Sequence, residues 1–203
     1  MHTNHTITLP SWIVERFERG PSHFPTTEDR MRFDVALDRE NVERQTGGPF
    51  GAGIFDAQGN LIGAGVNVVE LHQCSILHAE MVAIALAQKR LERFDIGKGG
   101  TRHHELVTSS EPCAMCFGAI PWSGVTRVVC GARDEDARRI GFDEGPKPAD
   151  WQQALKQRGV QVTRDVLRQE AVDVLELYVE LGGAIYNAGK GTSQSKGTTD
   201  EHR

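Results

Sequence analysis

The chain has 203 residues, a formal net charge of −5 at pH 7, 38% hydrophobic and 25% charged residues. That length suffices for one domain with a sizeable core, and the acidic balance argues against nucleic acid as the main partner, because phosphate backbones reward clustered Lys and Arg. Four cysteines do not make a secreted disulfide framework, no run approaches membrane-spanning length, and the first ten residues lack the apolar stretch of a signal peptide; a reducing cytoplasm is the expected location.

In chain order, residues 1–27 read as an N-terminal arm with a short helical piece at 11–19. Thr26 and Thr27 before Glu28 mark the start of a helix that runs to about residue 44, with Met31, Val35 and Val42 inward. Gly47-Gly48-Pro49 stops it. Residues 50–55 and 61–68 are apolar and glycine-rich, joined by the hairpin signal Asp56-Ala57-Gln58-Gly59-Asn60. Their glycines at 51, 53, 63 and 65 either admit close approach of a helix or substrate or serve sheet packing alone. A broad apolar surface at Met81, Val82, Ile84, Ala85, Leu86 and Leu91 predicts a helix over 79–93 packed against a sheet. Strands follow at 106–109 and 127–130, on either side of a helix opened by Pro112. Residues 133–148 read as a polar connection, then a helix at 150–157, a strand at 160–163 and a helix at 164–181. This alternation predicts a three-layer α/β/α sandwich on a five-stranded mixed sheet opened by an antiparallel hairpin. The organisation expected is an arm over 1–27, one domain over 28–188, and a disordered Gly/Ser/Thr-rich tail over 189–203.

Chemistry concentrates in two short stretches, His78-Ala79-Glu80 and Pro112-Cys113-Ala114-Met115-Cys116. Zinc binds imidazole and thiolate, and a catalytic site uses three protein ligands so that a fourth position holds water. His78, Cys113 and Cys116 supply three, the two cysteines sharing a helix face at i, i+3. Helix starts carry partial positive charge, which favours thiolate and carboxylate. Glu80 is not needed as a ligand and is left to carry protons from a zinc-activated water. The bland readings are a redox pair, or a closed structural zinc site completed by Cys74, Cys130 or His72. A structural site has no use for an unliganded carboxylate beside the metal. Cys74 and Cys130 read as buried structural thiols, Trp122 as core packing and His103-His104 as a surface loop.

The H-x-E…P-C-x-x-C pattern is the signature of zinc deaminases acting on nucleobases. With Gly47-Gly48-Pro49-Phe50, Asn67, Thr108-Ser109-Ser110-Glu111 ahead of the cysteines and Ile140-Gly141-Phe142-Asp143-Glu144-Gly145-Pro146, the chain resembles the cytidine deaminase-like superfamily over residues 9–188. It is most similar to the bacterial guanine deaminase branch, some of whose members act on the triazine ammeline. The resemblance implies one catalytic Zn2+ per chain on His78, Cys113 and Cys116, with Glu80 as proton carrier and Glu144 as a second acid. It implies Asn67 reading the base edge, Phe50 and Phe142 enclosing the ring, and a polar contact from the Ala79 N–H. Dull alternatives stand beside these: a local turn for Asn67, core for the two phenylalanines, and a solvated acidic loop for Asp143 and Glu144. The implied reaction is guanine to xanthine and ammonia. Ammeline or a related triazine, a tRNA adenosine, and a non-enzymatic zinc-stabilised binding module are the alternatives. The implied partners are a small nucleobase and a second copy of the chain, a homodimer that exchanges its C-terminal segment around Ile185-Tyr186-Asn187 or closes it over the pocket; no membrane or nucleic acid partner is expected.

Overall fold

A computed structural model describes residues 6–98 and 102–187. The tail expected over 189–203 lies outside the described residues.

Helix α1 (Ser11–Arg19) buries Trp12 and Ile13 in the same apolar cluster as helix α2 (Thr27–Glu43). Helix α2 starts at a capping box: the Asp29 N–H donates to Thr26 Oγ1 at 3.1 Å, and the Thr26 N–H donates back to Asp29 Oδ2 at 3.3 Å. Strands β1 (Gly51–Asp56) and β2 (Leu61–Val66) form the hairpin, its turn closed by Asp56 Oδ1 accepting the N–H groups of Gln58 and Asn60. The chain then passes through a short helix α3 (Val69–His72) into α4 (Ala79–Leu91). Strand β3 (His104–Ser110), helix α5 (Ala114–Ser123), strand β4 (Arg127–Ala132), helices α6 (Asp134–Arg139) and α7 (Trp151–Gln157), strand β5 (Gln161–Thr163) and helix α8 (Arg168–Glu180) complete it. None of the described helices is long and apolar enough to cross a membrane.

The sheet order is β2-β1-β3-β4-β5, with β1 antiparallel to both neighbours and β3, β4 and β5 parallel. Side chains alternate across it. Phe55, Val107 and Val129 pack on the α2/α8 face, whereas Ala52, Ile54, Leu106, Val128 and Cys130 pack on the α4/α5/α7 face. The sandwich is the fold expected. Both hairpin glycine pairs admit helices: a Cβ on Gly65 would lie 2.5 Å from Ala79 O of α4, and one on Gly51 would lie 2.5 Å from Asp34 O of α2. Bare backbone at Gly65 thus lets the start of α4 sit directly on β2.

Local departures have local causes. Helix α8 begins at Arg168 rather than residue 164, because Asp165 and Leu167 take left-handed backbone angles (φ 64° and 49°). Strand β2 stops at Val66: the Asn67 N–H still donates to Phe50 O at 3.0 Å in the hairpin register, and the Asn67 Oδ1 then accepts the Val69 N–H as the chain turns into a short helix. Helix α6 occupies part of the stretch expected to be a plain connection, its Asp136 carboxylate capping the Arg133 N–H and paired with Arg168. His104 is a buried strand residue rather than surface loop, and Trp122, expected in the core, is 76% exposed under the Arg158 guanidinium. Cys130 is buried and Cys74 half-buried.

The topology brings four chain ends to one edge. The start of β1, after Phe50, and the end of β2, before Asn67, meet there because the hairpin is antiparallel. The ends of β3 and β4 meet them, since Ala52 pairs with Thr108 and Ser110 with Ala132.

Candidate active site

At this edge two helix N-termini converge. His78 is the N-cap residue of α4 and Cys113 that of α5, so Cys113 precedes the helix that the sequence led us to start at Pro112, and only Cys116 lies within it. The free N–H groups of both first turns put partial positive charge here. His78 Nδ1 lies 3.5 Å from Cys113 Sγ and 3.7 Å from Cys116 Sγ. These three residues are the one cluster of potential metal-binding side chains among the described residues, their ligand atoms within 4.8 Å of one another. Tetrahedral zinc, with Zn–S of about 2.3 Å and Zn–N of about 2.0–2.1 Å, requires N···S separations of about 3.6 Å. The donor set fits the ion in both chemistry and spacing.

Charge points the same way. A hydrogen bond from Cys116 holds the Cys113 thiol down to about 4 against its burial, with His78 adding to the effect, while Cys116 is pushed up by that same bond: the two sulfurs share one proton. Burial works against a charged His78, yet its bond to Cys113 and the negative charges of Cys113, Glu80 and Glu144 raise it. Burial, then the Cys113 charge, raises Glu80; burial, then Cys113 and Glu80, pushes Glu144 up to about 8. Thiolate and carboxyls crowd a single imidazole, a deficit of positive charge that a divalent cation would relieve.

The cluster opens onto a cavity of about 390 Å³, within the range of small-molecule sites. Glu80 and Glu144, each 6% exposed, line it with Asn67, Phe50 and Phe142. The two phenyl rings stand edge to face with centroids 5.0 Å apart, and Phe142 also stacks on Tyr178 at 6.0 Å. The Asn67 Oδ1 accepts the Val69 N–H at 3.2 Å, while its buried Nδ2 has no partner among the described residues. Ala79 is fully buried at the first position of α4 and does not line the cavity. The loop carrying Glu144 is tied down: the Ala114 N–H donates to Glu144 O at 2.9 Å and Lys147 Nζ to Pro112 O at 2.8 Å. Asp143 also lines the cavity but is exposed, its Oδ1 accepting the Gly145 N–H at 3.0 Å.

Some wall residues were not picked out from the sequence as site residues. Glu111 is buried beside the cysteines and paired with Arg164; behind it Lys147, outside the cavity lining but with its side chain only 6% exposed, sits 3.9 Å from Glu111 and 2.9 Å from Asp134. The Glu immediately before Pro112 was the available signal. Tyr186 and Asn187 line this chain's own cavity, Asn187 bridging the Asp143 N–H at 2.9 Å and Gly141 O at 2.8 Å.

Comparison with known proteins agrees with this geometry. Residues 26–132 match the family model of the cytidine and deoxycytidylate deaminase zinc-binding region. The guanine deaminase of Bacillus subtilis (strain 168) is 39% identical over 117 residues, 58% of this chain and 71% of the relative. A solved structure of guanine deaminase from Nitrosomonas europaea is 43% identical, with a TM-score of 0.83 over 88% of this chain and 97% of that one. A second solved structure, a complex with 2,6-diaminopurine, is 44% identical with a TM-score of 0.83, covering 90% and 96%. The matched region spans more than half of the chain and both halves of the His78/Cys113/Cys116 cluster; the chain belongs to the cytidine and deoxycytidylate deaminase family, and is a zinc-binding hydrolytic deaminase.

Proposed function

We propose that the chain removes the amino group of a free aminopurine, guanine first, to give xanthine and ammonia. The observation that carries this reading is Glu80: a buried carboxyl at the cavity wall, beside the three ligand atoms and not among them. His78 Nδ1, Cys113 Sγ and Cys116 Sγ would hold the zinc ion, which would supply a water whose pKa is lowered towards neutrality. Glu80 takes one proton from water and delivers it to the ring nitrogen N3, then takes the proton remaining on the added hydroxyl and passes it to the departing amine. The walls do the rest. Phe50 and Phe142 exclude water and hold a flat ring, Asn67 offers N–H hydrogens to an acceptor on the base edge, and Glu144, in the same cavity, assists proton movement. Likeness to guanine deaminase structures along nearly nine tenths of the chain favours guanine over a tRNA adenosine.

The test is ammonia release by the zinc-loaded protein against guanine, ammeline, adenine, guanosine and a tRNA anticodon stem. Turnover of guanine is expected. Activity on the stem with silence on every free base overturns the substrate and leaves the metal chemistry standing. The reading extends to a cytoplasmic homodimer: all four cysteines are free, two of them as metal ligands, which suits a reducing compartment. A monomer in light scattering at micromolar concentration removes the dimer.

A further inference from the structure

Asn41 lies on α2, fully buried, outside the cavity and outside every motif discussed above. Its carboxamide is a fork between two cavity walls. Nδ2 donates to Gly48 O at 2.9 Å, two residues before Phe50, and to Asn67 O at 3.1 Å. Oδ1 accepts the Thr46 hydroxyl at 2.7 Å, and the Thr46 oxygen accepts the Trp12 indole N–H at 3.1 Å. Both Nδ2 hydrogens are therefore used on main-chain carbonyls at the two sides of the pocket. A glycine makes the fork possible: a Cβ on Gly47 would stand 1.9 Å from Asn67 O and 2.8 Å from Asn41 Nδ2.

The far end of this brace is the Asn67 side chain. Its Oδ1 is occupied by the Val69 N–H, which fixes the amide so that Nδ2, buried and without a partner among the described residues, is the atom left for a ligand. Asn67 thus acts as a donor and selects an acceptor on the base edge. Which way it donates depends on where its backbone is held, and apart from the Asn67 N–H to Phe50 O bond of 3.0 Å, the Asn41 fork is the tie that fixes this backbone. We propose that Asn41 is a positioning residue for deamination, holding Asn67 through its carbonyl so that the Asn67 N–H hydrogens face the substrate. This rests on the reading of Asn67 as a base contact.

The experiment compares Asn41→Ala with Thr46→Val in the zinc-loaded full chain. Thr46→Val deletes the three part-buried hydrogen bonds of the Thr46 hydroxyl, to Asn41 O and Oδ1 and from the Trp12 indole, but keeps the groups of both Nδ2 donations, so it controls for lost stability. With guanine, Asn41→Ala is expected to raise KM roughly tenfold, since misplacing a contact made in both ground and transition states weakens uniform binding; Thr46→Val keeps KM within about twofold. In an Asn67→Ala background, Asn41→Ala should add little, because the two act through one contact. The side-chain amide 15N–1H pair of Asn67, assigned by its loss in Asn67→Ala, should shift in Asn41→Ala and stay in place in Thr46→Val. An unmoved pair overturns the inference, as does a KM effect equal in both variants or undiminished without Asn67. Asn41→Ser, too short to reach both carbonyls, gives the same readouts if the alanine variant does not fold. Should the wild type leave guanine untouched, the substrate reading fails while the amide resonances still decide the role of Asn41.

Discussion

Two pairs of buried carboxyls occupy opposite faces of the sheet, and they have little in common beyond burial. Glu80 and Glu144, on the α4/α5 side, are 6% exposed and line a cavity beside a metal-binding cluster. Asp34 and Asp38, one turn apart on α2, are 0% and 1% exposed and are pressed against β1, where a Cβ on Gly53 would lie 2.9 Å from Asp34 Oδ1. Burial is the foremost cause that raises all four. Burial and a raised pKa therefore do not by themselves identify a catalytic acid. A cavity and a neighbouring metal site distinguish the working pair; the other pair is sealed in a closed layer where no substrate reaches.

Exchanging each acid for its neutral amide separates the pairs. The largest effect belongs to Glu80→Gln, which keeps shape and hydrogen-bonding atoms but cannot carry a proton; kcat should fall by about 10²–10⁴-fold, with zinc content and melting temperature held at wild-type values. Full activity in that variant would remove Glu80 from the mechanism. Glu144→Gln comes next, with a kcat loss of roughly tenfold to a hundredfold and unchanged zinc content. Its main-chain carbonyl still accepts the Ala114 N–H in the variant, so an unaltered kcat would reduce Glu144 to that backbone role.

How far the sequence exposes these regions depends on the distance between cooperating residues. His78 with Glu80 and Cys113 with Cys116 are legible because each pair lies within one helix start, so spacing alone implies a shared face. The hairpin and the start of α2 at Thr26/Thr27 are legible for the same reason. On α2 the apolar pattern expects Met31, Val35 and Val42 inward, but Asp34, Asp38 and Asn41 are buried with them. Polar residues on an inward face contradict the pattern by which such faces are recognised, so that face is underread. The Asn41 fork joins positions 26 apart through the hairpin, and nothing local signals it. Helix α6 is hidden differently: Asp134-Glu135-Asp136 and Arg138-Arg139 look like solvated charge, and only the fold brings Arg168 to pair with Asp136.

The sealed pair offers the smallest effect on catalysis and the sharpest contrast. The Gly53 N–H beside Asp34 and the Ser109 hydroxyl beside Asp38 are the polar groups that act on these carboxyls, and neither closes a hydrogen bond of ordinary geometry. Burial raises Asp34 against the influence of the Gly53 N–H, with Glu105 and Asp38 adding repulsion; burial raises Asp38 against the Ser109 hydroxyl and the Arg39 charge. The folded state thus prefers both acids protonated, whereas the unfolded chain ionises them near the ordinary aspartate value of about 3.9. Over the interval between the unfolded and folded values the folded state binds more protons, so stability falls as pH rises. The double variant Asp34→Asn/Asp38→Asn is neutral throughout and lacks that slope. Its melting temperature should match the wild type below about pH 3 and exceed it by a margin that widens as pH rises from there towards the folded values. Groups shared by both proteins, the metal ligands included, cancel in the difference, and kcat on guanine should not change. Scanning calorimetry of both proteins from acid to neutral pH decides the matter. A pH-independent gap would mean that the aspartates are ionised in the folded state, balanced by Ser109 and Arg39, and that the α2 face tolerates buried charge as the cavity does.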